Sequence, residues 1–171
     1  MLPLKVLITG AVGAGKTTLV STISEIEPLT TDVDSQEAIG KNQTTVGLDY
    51  GRMTLKERSV RLFGTPGQER FDYMWQMLGE GVDGMIVLVH AGHDTAETDT
   101  EHLLDTLRAK EAADVPFVVG ITHSDEAGTH PEALREASFA QRAAAVLTAD
   151  VRTERDGQAL IHALVDAWGI Q

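Results

Sequence analysis

LKVLITGAVGAGKTTLV, Leu4 to Val20, changes character twice within one short stretch. Lys5–Val6–Leu7–Ile8–Thr9 is a short apolar run ending in Gly10, the pattern of a central parallel strand. Leu19, Val20 and Ile23 then share one helical face. Between them, Gly10 to Thr17 fits GxxxxGK[ST], in the strand–loop–helix context that this motif requires. Glycines let the backbone curl until consecutive N–H groups face one centre, and the helix start adds its own unpaired donors. The pattern predicts a cradle for the phosphates of a nucleotide. Lys16 reaches the β and γ phosphates as a point charge, and the Thr17 hydroxyl ligates Mg²⁺.

Working outward, the chain alternates buried strands with helices. Pro28 closes the first helical segment, and the polar stretch Thr30–Thr44 reads as a loop with one short helix at Ser35–Ile39. Leu48–Leu55 and Ser59–Phe63 form an antiparallel hairpin at a sheet edge, joined through Lys56–Glu57–Arg58. Phe71, Met74, Trp75 and Leu78 have helical spacing. Met85–Val89 and Phe117–Ile121 are wholly apolar strands, Glu101–Lys110 and Ala133–Ala144 are helical, and Val146–Leu147 is a short last strand. Leu160, Ile161, Leu164, Val165 and Trp168 make one stripe, with Gly169 placed as a C-cap. The expected fold is α/β: a P-loop NTPase with a mostly parallel six-stranded sheet, one antiparallel edge strand and helices on both faces. Ligands of such sheets bind beyond the carboxyl ends of the strands, and every polar motif here follows a strand.

Composition narrows the function classes. The 171 residues suit one domain, which buries roughly two thirds of its unfolded surface. Cysteine is absent, which excludes disulfides and thiolate metal sites and suits a cytoplasmic location. No apolar run is long enough to span a membrane, and no direct membrane anchor is expected. A formal charge of -12, from 26 acidic and 14 basic side chains, repels a phosphate backbone, so no nucleic-acid partner is expected.

Two further segments carry a resemblance. Thr44-Thr45-Val46-Gly47-Leu48-Asp49-Tyr50 looks like the switch I segment of Rab and Arf proteins, and Gly67-Gln68-Glu69-Arg70-Phe71 matches switch II of the same proteins. In this order and spacing the motifs resemble the Ras-like small GTPases over nearly the whole length, so residues 1–171 are expected to form one small GTPase domain. The long interval from Thr17 to Thr45, the phrase EIEPLTTD and the phrase FGTPGQ resemble a bacterial and archaeal branch near MglA and the GTP-binding proteins of actinobacterial multi-gene clusters.

The resemblance implies roles residue by residue. Gly10, Ala11, Val12, Gly13, Ala14, Gly15, Lys16, Thr17 and Thr18 hold the phosphates of GTP or GDP. Thr17 and Thr45 hold Mg²⁺, with Thr44 as the alternative to Thr45. The Gly67 N–H bonds the γ-phosphate, Gln68 orients the attacking water, and Lys16, Thr45 and Gln68 form the catalytic set. Asp125, in Thr122-His123-Ser124-Asp125, accepts from guanine N1–H and the 2-amino group; the family's Asn and Lys are replaced by Thr122 and His123. The Thr122 hydroxyl keeps part of the Asn role, His123 lies flat over the base, and the Ala149 N–H donates to guanine O6. Position 64 is where such a protein places the Walker B Asp that holds Mg²⁺ through a water. Gly64 cannot do this, and Asp32, Asp34 or Asp49 are candidate substitutes, although a structural role for Asp49 is the simpler expectation. Weaker Mg²⁺ retention is expected.

No arginine lies between Thr17 and Thr45, so hydrolysis is expected to be slow without an activator. A partner's arginine can be worth roughly 10³–10⁵ in rate. Phe71, Tyr73 and Met77 cannot all turn inward with Met74, Trp75 and Leu78, which leaves apolar surface for an effector. By resemblance a Roadblock/LC7 protein is such a partner. His90, His93 and His102 are read as surface histidines rather than a metal site. Two alternatives stay open: a P-loop ATPase or nucleotide kinase, and a nucleotide-binding scaffold without turnover.

Overall fold

The computed structural model describes residues 2–33, 46–65, 81–108 and 114–169. The first strand, β1 (Leu4–Gly10), lies at the centre of a seven-stranded sheet. It is followed by α1 (Lys16–Ile23), β2 (Leu29–Val33), β3 (Val46–Leu55), β4 (Arg58–Gly64) and β5 (Gly84–His90). Then come α2 (Ala96–Leu107), β6 (Phe117–Thr122), α3 (Pro131–Glu136), α4 (Ser138–Arg142), β7 (Ala145–Thr148) and α5 (Glu154–Ala167). The sheet order is β2-β3-β4-β1-β5-β6-β7. From β4 to β7 all neighbours are parallel. The β3–β4 and β2–β3 pairs are antiparallel.

Among the described residues the sheet therefore has seven strands, not six, and two antiparallel pairs at one side. The extra strand is β2, which the sequence presents as the start of a loop. Leu-Thr-Thr-Asp-Val carries too little apolar patterning to reveal a strand, because an edge strand needs burial on neither face to be held by its one neighbour. The expected helix Ala133–Ala144 is two short helices, broken at Ala137, whose backbone is extended at φ -60 and ψ 155. The break turns the second helix so that Phe139 is fully buried beneath α2. The short helix expected at residues 35–39 and the helical stripe of residues 71–79 lie outside the described residues.

Strand alternation divides the core in two. Val6 and Ile8 of β1 face a layer made by α1 and α5, through Leu19, Val20, Ile23, Leu160, Ile161 and Leu164. Leu7 faces the other layer, with Leu104 and Leu107 of α2, Leu134 and Phe139. The last helix is capped at both ends as its pattern requires. The Thr153 side chain accepts from the Asp156 N–H, and Gly169 has a φ of 64. The hairpin turn is the two-residue pair Lys56–Glu57, both with positive φ, in the sense that matches strand twist.

Helices α1 and α5 approach closely at Gly157, where an added Cβ would lie 2.5 Å from Ile23 Cγ2. Ile23 is β-branched and packed in the core, so it has little room to yield. Gly157→Ala is expected to cost about 1–3 kcal/mol, read as a lower midpoint in thermal or urea unfolding. An unchanged midpoint would mean that the two helices can separate freely.

Candidate nucleotide site

The carboxyl ends of β1, β4, β5, β6 and β7 open onto one side, where a cleft of about 680 Å³ runs from Gly13 and Lys16 to Asp125 and Arg152. Its phosphate end is built by the loop after β1. Gly10, Gly13 and Gly15 have φ of 147, 78 and 105. Gly15 is the residue that caps α1, and a Cβ there would meet Val151 at 2.7 Å. Both the left-handed backbone and the close approach therefore demand glycine. Ala11, Val12 and Ala14 complete the curl, with the Ala14 N–H donating to Ala11 O. Thr17 and Thr18 sit in the first turn of α1 and line the cleft.

Lys16 is only 8 % exposed, and its Nζ donates to Gly10 O at 2.8 Å and Ala11 O at 2.7 Å. The side chain thus folds back across its own loop. Burial lowers its pKa from 10.5 to about 8, opposed by the attraction of Asp49. An ammonium held this way is shielded from solvent and, among the described residues, makes no ion pair. Phosphate oxygens would supply one.

Asp49 is the residue whose position the sequence left open. It is 7 % exposed and lies opposite Gly64 in the β3–β4 register. A Cβ built on Gly64 would be 3.1 Å from Asp49 Cβ and 3.4 Å from Asp49 Oδ2. The missing side chain at 64 therefore leaves room that the Asp49 carboxylate fills from the neighbouring strand. Thr17 Oγ1 donates to Asp49 Oδ2 at 2.5 Å, and Thr30 Oγ1 donates to Asp49 Oδ1 at 2.9 Å. With its proton committed to Asp49, the Thr17 oxygen keeps its lone pairs for a cation. A hydroxyl oxygen beside a buried carboxylate is the oxygen donor set that a hard divalent ion takes, so these residues fit Mg²⁺.

At the other end, Thr122 is buried and its hydroxyl donates to Ala14 O at 2.8 Å. It thereby ties the loop after β6 to the phosphate loop. His123 Nδ1 lies 3.0 Å from Thr122 Oγ1. Since the hydroxyl proton is already directed at Ala14 O, the ring must donate through Nδ1–H, which leaves Nε2 bare. The His123 ring stacks on His90 with centroids 3.8 Å apart, and His90 stacks on His93 at 4.0 Å. His123 lines the cleft with one side of its ring engaged by His90. Asp125 also lines the cleft, 3.6 Å from the Arg152 guanidinium.

Ala149 requires a correction. It lines the cleft, but its N–H donates to Ile121 O at 2.9 Å. That bond extends the β6–β7 pairing and turns the hydrogen away from a base. Thr45, Gly67 and Gln68 lie outside the described residues, as do Asp34 and Thr44. Arg152 is the group that sequence reading passed over. Its guanidinium grips Asp150 through two bonds of 2.8 Å and holds that carboxyl below the ordinary range. Only its place next to the Thr148-Ala149-Asp150 loop hinted at it.

A family described as "Conserved hypothetical ATP binding protein" matches residues 29–169. The chain belongs to this family. An uncharacterized protein of Methanocaldococcus jannaschii is 28% identical over 121 residues, 71% of this chain and 70% of that protein. Translation initiation factor IF-2 of Gluconacetobacter diazotrophicus is 33% identical over 135 residues, covering 78% of this chain but only 14% of the factor. The same factor from Clostridium tetani is 30% identical over 134 residues, covering 78% of this chain and 18% of the factor. Among solved structures, the G domain of the T. maritima FeoB iron transporter superposes with a TM-score of 0.66 at 17% identity, covering 96% of this chain and 98% of that one. The fold is therefore that of a P-loop NTPase in its Ras-like GTPase form, and the chain is a nucleotide-binding P-loop protein. Among the described residues, no helix is long and apolar enough to cross a membrane.

The lowered pKa of Lys16 has a measurable sign. Well below pH 8 the ammonium is charged already, so nucleotide binding takes up almost no proton there. Above it, the free protein holds Lys16 neutral while phosphate favours the charged form, so binding takes up a proton and affinity falls by up to roughly tenfold per pH unit. Calorimetry at about pH 9, in buffers of different ionisation enthalpy, is expected to give uptake approaching one proton. Zero uptake would contradict the buried position of Lys16.

Proposed function

We propose that this protein is a GTP-binding switch that hydrolyses GTP slowly by itself and signals to a protein partner. The observation that carries the reading is Asp125 at the far end of the cleft from Lys16, on a loop that Thr122 fastens to the phosphate loop. A carboxylate there accepts from two donors at once, which guanine presents and adenine does not. Facing adenine it would be left partly unsatisfied, at a cost of about 1–3 kcal/mol. The translation-factor relatives and the FeoB G domain agree with this reading in fold. The family's description, which says ATP, favours the second reading of an ATP-binding protein.

In the proposed mechanism the curl of N–H groups from Gly10 to Thr18 and the Lys16 ammonium hold the phosphates. Lys16 leaves Gly10 O and Ala11 O as it does so. Thr17 and Asp49 would hold Mg²⁺, in place of the carboxylate absent at Gly64. Magnesium, when bound, neutralises charge on the phosphate oxygens. Thr45 closes over the terminal phosphate, Gly67 donates to it and Gln68 orients the attacking water; these three roles rest on the motifs alone. So do the placement near MglA-type proteins and a Roadblock/LC7 partner. Relaxation of both switch loops after hydrolysis would report the change to that partner.

Competition between GTP and ATP for a fluorescent nucleotide tests the base assignment. GTP is expected to win by tenfold or more, and Asp125→Asn to remove that preference while binding xanthosine triphosphate, whose C2 carbonyl suits an amide donor. A parent protein that prefers ATP would establish the second reading. Asp49 has its own check, in nucleotide release at graded magnesium. Asp49→Asn is expected to raise the magnesium required about 10- to 100-fold, and the paired exchange Asp49→Gly with Gly64→Asp to restore most of it. No change in Asp49→Asn would return that residue to a purely structural role.

A further inference from the structure

We propose that His90, His123 and Glu126 form a binding site for a zinc-class divalent ion where the loops after β5 and β6 meet. One donor atom from each residue lies within 4.8 Å of the other two. The site joins two loops: His90 ends β5, whereas His123 and Glu126 flank Asp125 on the loop after β6. His102, which sequence reading grouped with His90 and His93, is exposed on α2 and takes no part.

Chemistry favours an ion over a fortuitous cluster. The His123 ring is oriented by its Nδ1–H bond to Thr122 Oγ1, itself fixed by Ala14 O, so its Nε2 lone pair is free. Locking one ring nitrogen to expose the other is how a second shell prepares a histidine ligand. The His123 φ of 57 is unusual for a residue other than glycine, and it holds this ring against His90. His90 Nδ1 accepts from the Gly92 N–H at 3.0 Å, a bond that an ion bound at that nitrogen would replace. The Glu126 carboxylate lies alongside: a Cβ built on Gly92 would be 3.3 Å from His90 Nδ1 and 3.5 Å from Glu126 Oε2.

Two imidazoles and one carboxylate suit zinc, nickel or cobalt, whereas magnesium takes oxygen ligands. Three protein ligands leave a fourth position for water. Near-parallel rings cannot aim both lone pairs at one point, so the stack must tilt as the ion enters. The broad two-fold torsion of an imidazole permits this, at the expense of the ring stacking and of the His90–Gly92 bond.

Calorimetric titration of the nucleotide-free protein with zinc chloride, in excess magnesium, tests the site. One zinc per chain is expected, with His123→Ala and Glu126→Gln each weakening it by roughly tenfold or more. His102→Ala should behave as the parent. Glu126 is exposed, so its substitution leaves folding intact and keeps the test valid if a histidine variant unfolds. No uptake by the parent, or uptake unaffected in Glu126→Gln and His123→Ala, overturns the proposal. Because nucleotide is absent, neither result bears on guanine selectivity.

Discussion

Asp49 and Gly64 face each other across β3 and β4, and the chemistry at the phosphate end depends on that pairing. A carboxylate near Thr17 accepts the hydrogen bond of its hydroxyl. The backbone of β4 passes through the usual place for it, but glycine offers no side chain there. The carboxylate instead comes one strand sideways, buried and accepting two hydroxyl bonds. Moving it back without removing Asp49 would bring side chains within 3.1 Å, so the two positions constrain one another.

The same region couples electrostatics to loop geometry. Lys16 lies across its loop on two carbonyl oxygens and feels both burial and the attraction of Asp49. One buried carboxylate thus acts on both Lys16 and Thr17, opposing the burial that lowers the Lys16 pKa. At the opposite end of the cleft, Thr122 donates to Ala14 O and its hydroxyl oxygen lies 3.0 Å from His123 Nδ1. The groups assigned to base and phosphate consequently share a short chain of hydrogen bonds.

The phosphate loop, the parallel strands and the last helix were legible in sequence because each is a local pattern. Lys16 and Thr17 follow directly from spacing, and Leu160 to Trp168 follow from helical period. The role of Asp49 was not legible, because it depends on which residue stands opposite Gly64, and register across a hairpin is fixed by the turn and the core together. β2 was hidden by its polar composition. The Ala149 amide was misassigned because motif similarity says nothing about where a particular N–H points. The histidine stack was missed because His90 and His123 are far apart in the chain, whereas His102 looked nearer.

Thr30 adds a mechanical consequence. Its hydroxyl bonds the second oxygen of Asp49, so the outermost strand is tethered to the anion that also grips the first helix. Displacing that rim would disturb the hydrogen bonds of Asp49 and, through them, the Thr17 hydroxyl at the start of the first helix. The border of the sheet is thereby a lever arm whose fulcrum is a single carboxylate.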